Sequence, residues 1–408
     1  MVLFHKIFGT KAGDVFETST NESFKKNKEK VMNPDQQYLS GIKVLDLSQY
    51  LPGPFAGQIL ADLGAEVVKV EPPAGDPMRG FMFVDEDGIS PFYKQVNGGK
   101  SVIRLDLKTE TDRSVFERLV RKADVLLESF RPGVMERLGF SRERLAGCNP
   151  RLIHCALSGF GQTGSHRLRG GHDMTYMALT GGLSATGTEA EPVIIFPPLA
   201  DHAGAQQAVI TILGGLLRRG ISGQGSYIDV SLFETALAWQ SVGLTVAARM
   251  PSHIERGHGL LTGGAAYYHI YRTADDRFMA FAPIEVKFWS AFCEAVDRPD
   301  WIRRHQEPIP QKALIADLQN FFGSRTFKEW STLAERVDCC LEPVLEHSEV
   351  KDHPHVRERG LVHISTGTDR AAEVLYPAWI DGRPPAARPP LMELPVEQVL
   401  GSWEGAVR

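Results

Sequence analysis

Several things are scarce in this 408-residue sequence, and each scarcity closes off a class of function. The five cysteines, Cys148, Cys155, Cys293, Cys339 and Cys340, show no CxxC spacing, so neither a dithiol redox motif nor a zinc ribbon is written into the chain. The adjacent Cys339-Cys340 pair precedes the apolar stretch LEPVL and reads as buried structure. No apolar run reaches about 18 residues, the length of a membrane span. Charge of one sign is also lacking: the net value of −5 gives no reason to expect a nucleic-acid partner or an anionic membrane surface. A polyanionic ligand would have to be met by local basic residues. The glycine fingerprint G-x-G-x-x-G is missing from the first strand–helix turn, which reads LPGPFAG. That argues against a nicotinamide or flavin dehydrogenase. No secretory signal opens the chain, and Asp14, Glu17, Glu22 and Glu29 are at odds with an acid-poor transit peptide. The closing AVR is not a peroxisomal address. A reduced, cytoplasmic setting is the expectation.

What is present is an ordinary globular composition, 43% hydrophobic and 23% charged, able to bury a sizeable core. Residues 1–40, polar around FKKNKEK, read as a flexible N-terminal extension. From Gly41 short apolar strands alternate with helices: IKVLDL, VVKVE, SVIRLDL, VLLE and LIHCAL, with the amphipathic DRSVFERLVRK between two of them. This alternation predicts an α/β fold with a parallel, doubly wound sheet over 41–230. Leu232 to Met250 reads as one buried helix within a linker, 231–262. The runs AAYYHIYR and FMAFAPI, joined by TADDR, predict a hairpin in a smaller α+β unit, 263–345. The proline-rich stretch 346–408 is expected to be irregular and to return over the larger domain.

Ligands on doubly wound sheets bind beyond the carboxyl ends of the strands, and the unusual residues gather there. SGFGQTG (158–164) is a glycine-rich loop directly after a strand. GGHDMTY (170–176) and PLADHAG (198–204) each open a helix, where backbone N–H groups favour negative charge. Asp173 and Asp201 also suit plain N-caps. In a parallel sheet the two helix starts can share an edge, bringing His172 and Asp201 to one cleft. Glu285, at the end of the hairpin, could polarise the imidazole.

Taken together, GIKVLDLSQYLPGPFAGQILADLGAEVVKVEPPAGDPMR, NGGKSVIRLDLK, ESFRPGVMERLGF, NPRLIHCALSGFGQTG and GQGSYIDVSLFE resemble the class III CoA-transferase superfamily, in order from about Gly41 to about Val362. The resemblance implies a Rossmann-like large domain, a smaller domain, an interlocked homodimer and an acyl-CoA substrate, with no cofactor beyond its CoA moiety and no metal. It makes Asp201 catalytic. In the transferase branch that residue is a nucleophile forming mixed anhydrides. In the α-methylacyl-CoA racemase branch it moves a proton, partnered by a His matching His172 and supported by a Glu matching Glu285. GHDMTYMALTGGLSATG is similar to the racemase version. By position, the resemblance makes Leu105, Asp106, Leu107, Lys108, Arg131, Gly171, Asp173, Met174, Thr175 and Tyr176 candidates for contacting CoA. Three places depart from the pattern: Pro72 stands where the racemase form has Arg, the GEHT-type C-terminal segment is replaced by LMELPVEQVL, and His202 follows Asp201.

The expected activity is therefore interconversion of 2R and 2S 2-methylacyl-CoA thioesters through an enolate, with CoA transfer between carboxylic acids as the alternative. Racemisation needs one proton-transfer group on each face of the α-carbon. Backbone N–H groups near Gly171 to Asp173 are expected to steady the thioester oxyanion.

Overall fold

The computed structural model describes residues 37–250, 254–364 and 372–405; most of the extension expected over 1–40 lies outside the described residues. Six short strands, β1 (Lys43–Asp46), β2 (Glu66–Glu71), β3 (Ser101–Arg104), β4 (Val125–Glu128), β5 (Ile153–Ser158) and β6 (Ser226–Ser231), are largely buried. Three more, β7 (His269–Arg272), β8 (Phe278–Phe281) and β9 (Leu341–Pro343), form an antiparallel sheet begun by the expected hairpin. A small ribbon pairs β10 (Val362–Ile364) with β11 (Ala372–Val374), and β12 (Met392–Glu393) joins the large sheet.

The large sheet runs β12-β3-β2-β1-β4-β5-β6 with every neighbouring pair parallel. This is the α/β architecture the strand–helix alternation predicts. Helices cover both faces, so strand residues alternate between two cores instead of between core and water. Val44, Val67, Leu127 and Ile153 pack on one side with Leu60 and Ile212. Leu45, Val68, Leu126 and Ile103 pack on the other with Phe116 and Trp403. The smaller sheet has its own core around Trp289, Phe292, Phe322 and Trp330. The strand order reverses between β1 and β4, and that reversal opens a ligand crevice at the carboxyl ends of those strands.

The helices that frame the crevice start where the local chemistry predicts. α1 (Pro52–Asp62) begins on proline, whose fixed φ and missing N–H suit a first turn. α2 (Glu110–Lys122) is capped by Thr109, whose hydroxyl accepts from Asp112 N, and carries acids first and bases last. α3 (Asp173–Leu179) and α4 (Leu199–Ser222) follow β5.

Two expectations need correcting. The single buried helix read over Leu232 to Met250 divides at Gln240 into α5 (Leu232–Trp239) and α6 (Ser241–Ala247). Leu232, Thr235 and Ala236 face the core, whereas no residue of α6 is buried, so nothing holds the second half in line with the first. Further on, α7 (Val286–Ala295) packs beside the small sheet. The C-terminal stretch is also less irregular than its prolines suggest. After Pro389 and Pro390 it adds β12 to the sheet edge, then forms α8 (Val396–Gly405), which buries Val399, Leu400 and Trp403. Trp403 Nε1 donates to Glu66 Oε1 at 2.6 Å.

Candidate active site

The site is assembled from two helix starts. His172 occupies the N-cap of α3. Its backbone is fixed by Thr175, whose Oγ1 accepts from His172 N (3.0 Å) and donates to His172 O (2.7 Å). The imidazole itself is left exposed. Asp201 stands in the first turn of α4, half-buried.

Asp173 ties these two starts together. Its Oδ1 accepts from Ala200 N at 2.5 Å and from Asp201 N at 3.2 Å. The carboxylate at the first position of α3 thus caps the neighbouring helix and not its own, combining a charge-assisted hydrogen bond with a favourable dipole contact. As a result, the residues beside the imidazole and beside the second carboxyl are joined directly. Neither of the two capped amides of α4 is free to meet a ligand anion.

The clamp also shapes the acid–base chemistry. Burial pushes the Asp201 carboxyl up to about 6, and the neighbouring Asp173 charge pushes the same way. His202 and His172 oppose that rise by favouring the ionised form. A carboxyl tuned this close to neutrality can both accept and return a proton near pH 7. Tyr176, packed below, is raised to about 12, first by burial and then by the Asp201 charge, with Arg131 opposing. Its hydroxyl therefore stays protonated.

Glycines make room for that tyrosine. A Cβ on Gly159 would run into the Tyr176 hydroxyl, and one on Gly171 would lie 2.7 Å from its ring. The Phe160 ring meets Tyr176 edge-on at 5.1 Å. Two of the glycine-bearing motifs singled out in the sequence, 158–164 and 170–176, are thus packed against each other through one side chain.

The remaining candidates divide. Arg131 is exposed and comes to the same loop: a Cβ on Gly170 would stand 3.3 Å from its Nη2. Met174 and Thr175 lie exposed on α3. Leu105 and Leu107, 4% and 9% exposed, point into the core beneath α2, so they can meet a ligand only through backbone. Between them, Asp106 Oδ1 accepts from Lys108 N at 3.1 Å, and Lys108 is exposed. Glu285 stands on a different element, exposed at the N-cap of α7 and beside Cys340. Among the described residues no hydrogen bond or ion pair joins it to His172.

Sequence reasoning missed the Asp173 clamp because a carboxylate that caps a helix other than its own leaves no local pattern. His202 also gains a defined place. Its Nδ1 lies 2.6 Å from Pro198 O, an acceptor, so Nδ1 carries the proton. Its ring meets Phe55 of α1 edge-on at 5.1 Å. Among the described residues, no group of three or more His, Cys, Asp or Glu is disposed to hold a metal, and no helix is long and apolar enough to cross a membrane.

The model of the family described as "CoA-transferase family III" matches residues 39–392. The chain is similar to the alpha-methylacyl-CoA racemase of Homo sapiens, at 36% identity over 334 residues, covering 79% of this chain and 81% of the relative. It is similar, too, to the acetyl-CoA:oxalate CoA-transferase of Acetobacter aceti, at 33% identity over 340 residues, covering 80% and 86%. Among solved structures, a CAIB/BAIF family protein from Brucella suis superposes with a TM-score of 0.77 at 26% identity, covering 89% of this chain and 98% of the other. Rv3272 of Mycobacterium tuberculosis superposes with a TM-score of 0.72 at 30% identity, covering 88% and 97%.

Proposed function

This chain belongs to CoA-transferase family III, and from that premise we propose that it is an α-methylacyl-CoA racemase, acting as a homodimer on a 2-methylacyl-CoA thioester. The observation that carries the reading is the Asp173 bridge. It joins the helix starts bearing an imidazole and a near-neutral carboxyl, the two kinds of group that racemisation needs on opposite faces of one carbon.

In the forward direction the His172 imidazole takes the α-proton of one enantiomer. The C–H electrons move into the thioester carbonyl to give an enolate. Protonated Asp201 then delivers its proton to the opposite face, and the reverse reaction begins from the Asp201 carboxylate. With a pKa of about 6, both forms of Asp201 are populated near neutrality. A positioned acid–base pair contributes about 10²–10⁴ in rate. Hydrogen-bond donors aimed at the enolate oxygen must supply the remainder. Arg131 and Lys108, both exposed cations at the carboxyl edge of the sheet, suit the phosphates of CoA. Glu285, carried by the small-sheet unit, would reach His172 from the other subunit.

The test uses one pure enantiomer of a 2-methylacyl-CoA in deuterated water. The expected result is deuterium at the α-carbon and loss of optical purity with no acceptor acid present. His172→Ala and Asp201→Ala should each abolish proton abstraction from a different enantiomer. Formation of a new CoA ester from an added carboxylic acid, without α-exchange, would instead identify Asp201 as the nucleophile of a transferase.

A further inference from the structure

The end of β1 is built on charge that water hardly reaches. Asp46, Lys69, Lys100 and Asp76 are 0%, 0%, 1% and 3% exposed. Lys100 Nζ reaches Asp46 Oδ2 and Asn97 Oδ1, each at 2.9 Å, and Pro54 O at 2.7 Å. Lys69 Nζ reaches Asp76 Oδ2 at 2.9 Å and Ser48 O at 2.7 Å. Asp46 Oδ1 accepts from both the amide and the hydroxyl of Ser48. Helix α1 passes close enough that a Cβ on Gly57 would lie 2.7 Å from Asp46 Oδ2. Burying four charges is a poor way to stabilise a sheet, since apolar residues of similar volume do as well or better.

What the four charges share is one loop. Lys69 donates to Ser48 O in that loop and Lys100 to Pro54 O in the first turn of α1, into which the loop runs, while from the other side Gln49 N donates to Ser129 Oγ at 3.0 Å. The Ser48–Gln49 peptide is therefore held at its C=O by a side chain from β2 and at its N–H by the residue after β4. It bridges the point where the strand order reverses. The next residue, Tyr50, has φ +63° with its side chain 54% exposed. A bulky residue in the left-handed region persists only where its surroundings over-determine it.

We propose that Asp46, Lys69, Lys100 and Asp76 are positioning residues for thioester binding: by pinning Ser48 O and Pro54 O at its two ends they hold the crevice loop in one strained, ligand-ready conformation. This rests on the family reading, because it takes CoA as the ligand of that crevice. Preorganised loops improve binding by removing the ordering cost at the moment of association. Loosening the quartet should therefore weaken the complex and leave the proton-transfer groups on α3 and α4 intact.

The experiment compares free CoA binding by calorimetry with the kinetics of α-proton exchange in Lys69→Met, Lys100→Met and Ser129→Ala. Losing a hydrogen bond from a charged group predicts about tenfold weaker CoA binding and a matching rise in KM for the lysine variants. Ser129→Ala, which leaves every buried charge in place, should weaken both by about threefold. In all three, kcat should stay within about threefold of wild type. A merely structural role would lower kcat and melting temperature together without this split. Unchanged KM and CoA affinity in the folded variants would overturn the proposal. If the lysine variants fail to fold, Asp76→Asn, which keeps an oxygen for Lys69 while removing a charge, decides in their place by the same split between CoA affinity and kcat. Failure of the wild-type protein to bind free CoA at all would sink the acyl-CoA reading itself, whereas normal wild-type binding with unchanged variants sinks this proposal alone.

Discussion

Replacing Asp173 by asparagine and by alanine separates its two roles. Asparagine keeps an oxygen able to accept from Ala200 N and Asp201 N, at 2.5 and 3.2 Å in the native protein, but removes the charge. Alanine removes both. Two hydrogen bonds to a carboxylate at a helix start are worth about 1.5–3 kcal/mol each when lost with their partners unpaired, so Asp173→Ala should cost roughly 3–6 kcal/mol locally. Exchange should fall by more than about tenfold as α4 loses its fixed start. In Asp173→Asn the geometry stays and the electrostatics change. Burial is the first cause of the raised Asp201 pKa and the Asp173 charge the second, so removing the charge should lower that pKa by roughly half a unit to one unit. When Asp201 is the base it must be ionised, and activity in that direction falls as pH drops through about 6 in wild type. The acid limb should therefore move to lower pH in Asp173→Asn. The assay is the pH profile of kcat/KM for α-exchange, run separately from each enantiomer. An unmoved limb in Asp173→Asn, or an Asp173→Ala enzyme as active as Asp173→Asn, would refute the clamp reasoning.

Two further predictions concern groups outside the chemistry. Glu128, buried on β4, is raised to about 8 by burial, with the Glu136 and Asp229 charges adding and the Phe130 amide opposing. His154 on β5 is lowered to about 4 by burial and by Arg142. Relative to the unfolded value of 4.5, Glu128 makes stability fall as pH rises from about 4.5 to about 8, whereas His154 makes it rise from about 4 to 6.5. Above pH 6.5 the Glu128 slope dominates between these two groups. Stability should drop by roughly 1 kcal/mol between pH 6.5 and 8, and Glu128→Gln should flatten that drop in urea titrations. An equally steep fall in Glu128→Gln would show that another group is responsible. Gly159→Ala should destabilise by about 1–3 kcal/mol through overpacking against the Tyr176 hydroxyl. Tyr176→Phe should recover much of the loss in a double mutant; thermal melts that show simple additivity would discredit the contact.

Most of the fold could be read from the sequence because each strand is a short apolar run bounded by turn residues. IKVLDL, VVKVE and VLLE could hardly be anything but buried parallel strands. The Leu232–Met250 helix misled because α6 is apolar in composition yet unburied, and composition alone does not say which apolar faces a single chain covers. At the site, His172 and Asp201 stood out by residue type beside glycines, whereas Arg131 was named by position through the family resemblance. Leu105 and Leu107 were named by position only, and their side chains went to the core. Asp173 was noticed as a neighbour of His172, but its partners lie 27 and 28 residues on, beyond any local pattern. Lys69 was the legible clue to the buried quartet: a lysine within VVKVE is anomalous in a strand covered on both faces.

The placement of β12 has a consequence for how the chain comes together. Met392 pairs with Ser101 and Glu393 with Val102, so the outer rim of β3 waits for residues made nearly three hundred positions later. During synthesis on the ribosome that rim is a row of unmatched amides and carbonyls, open to any extended segment that drifts past. Trp403, fully enclosed once α8 docks, would report by its fluorescence the moment this vulnerable interval ends.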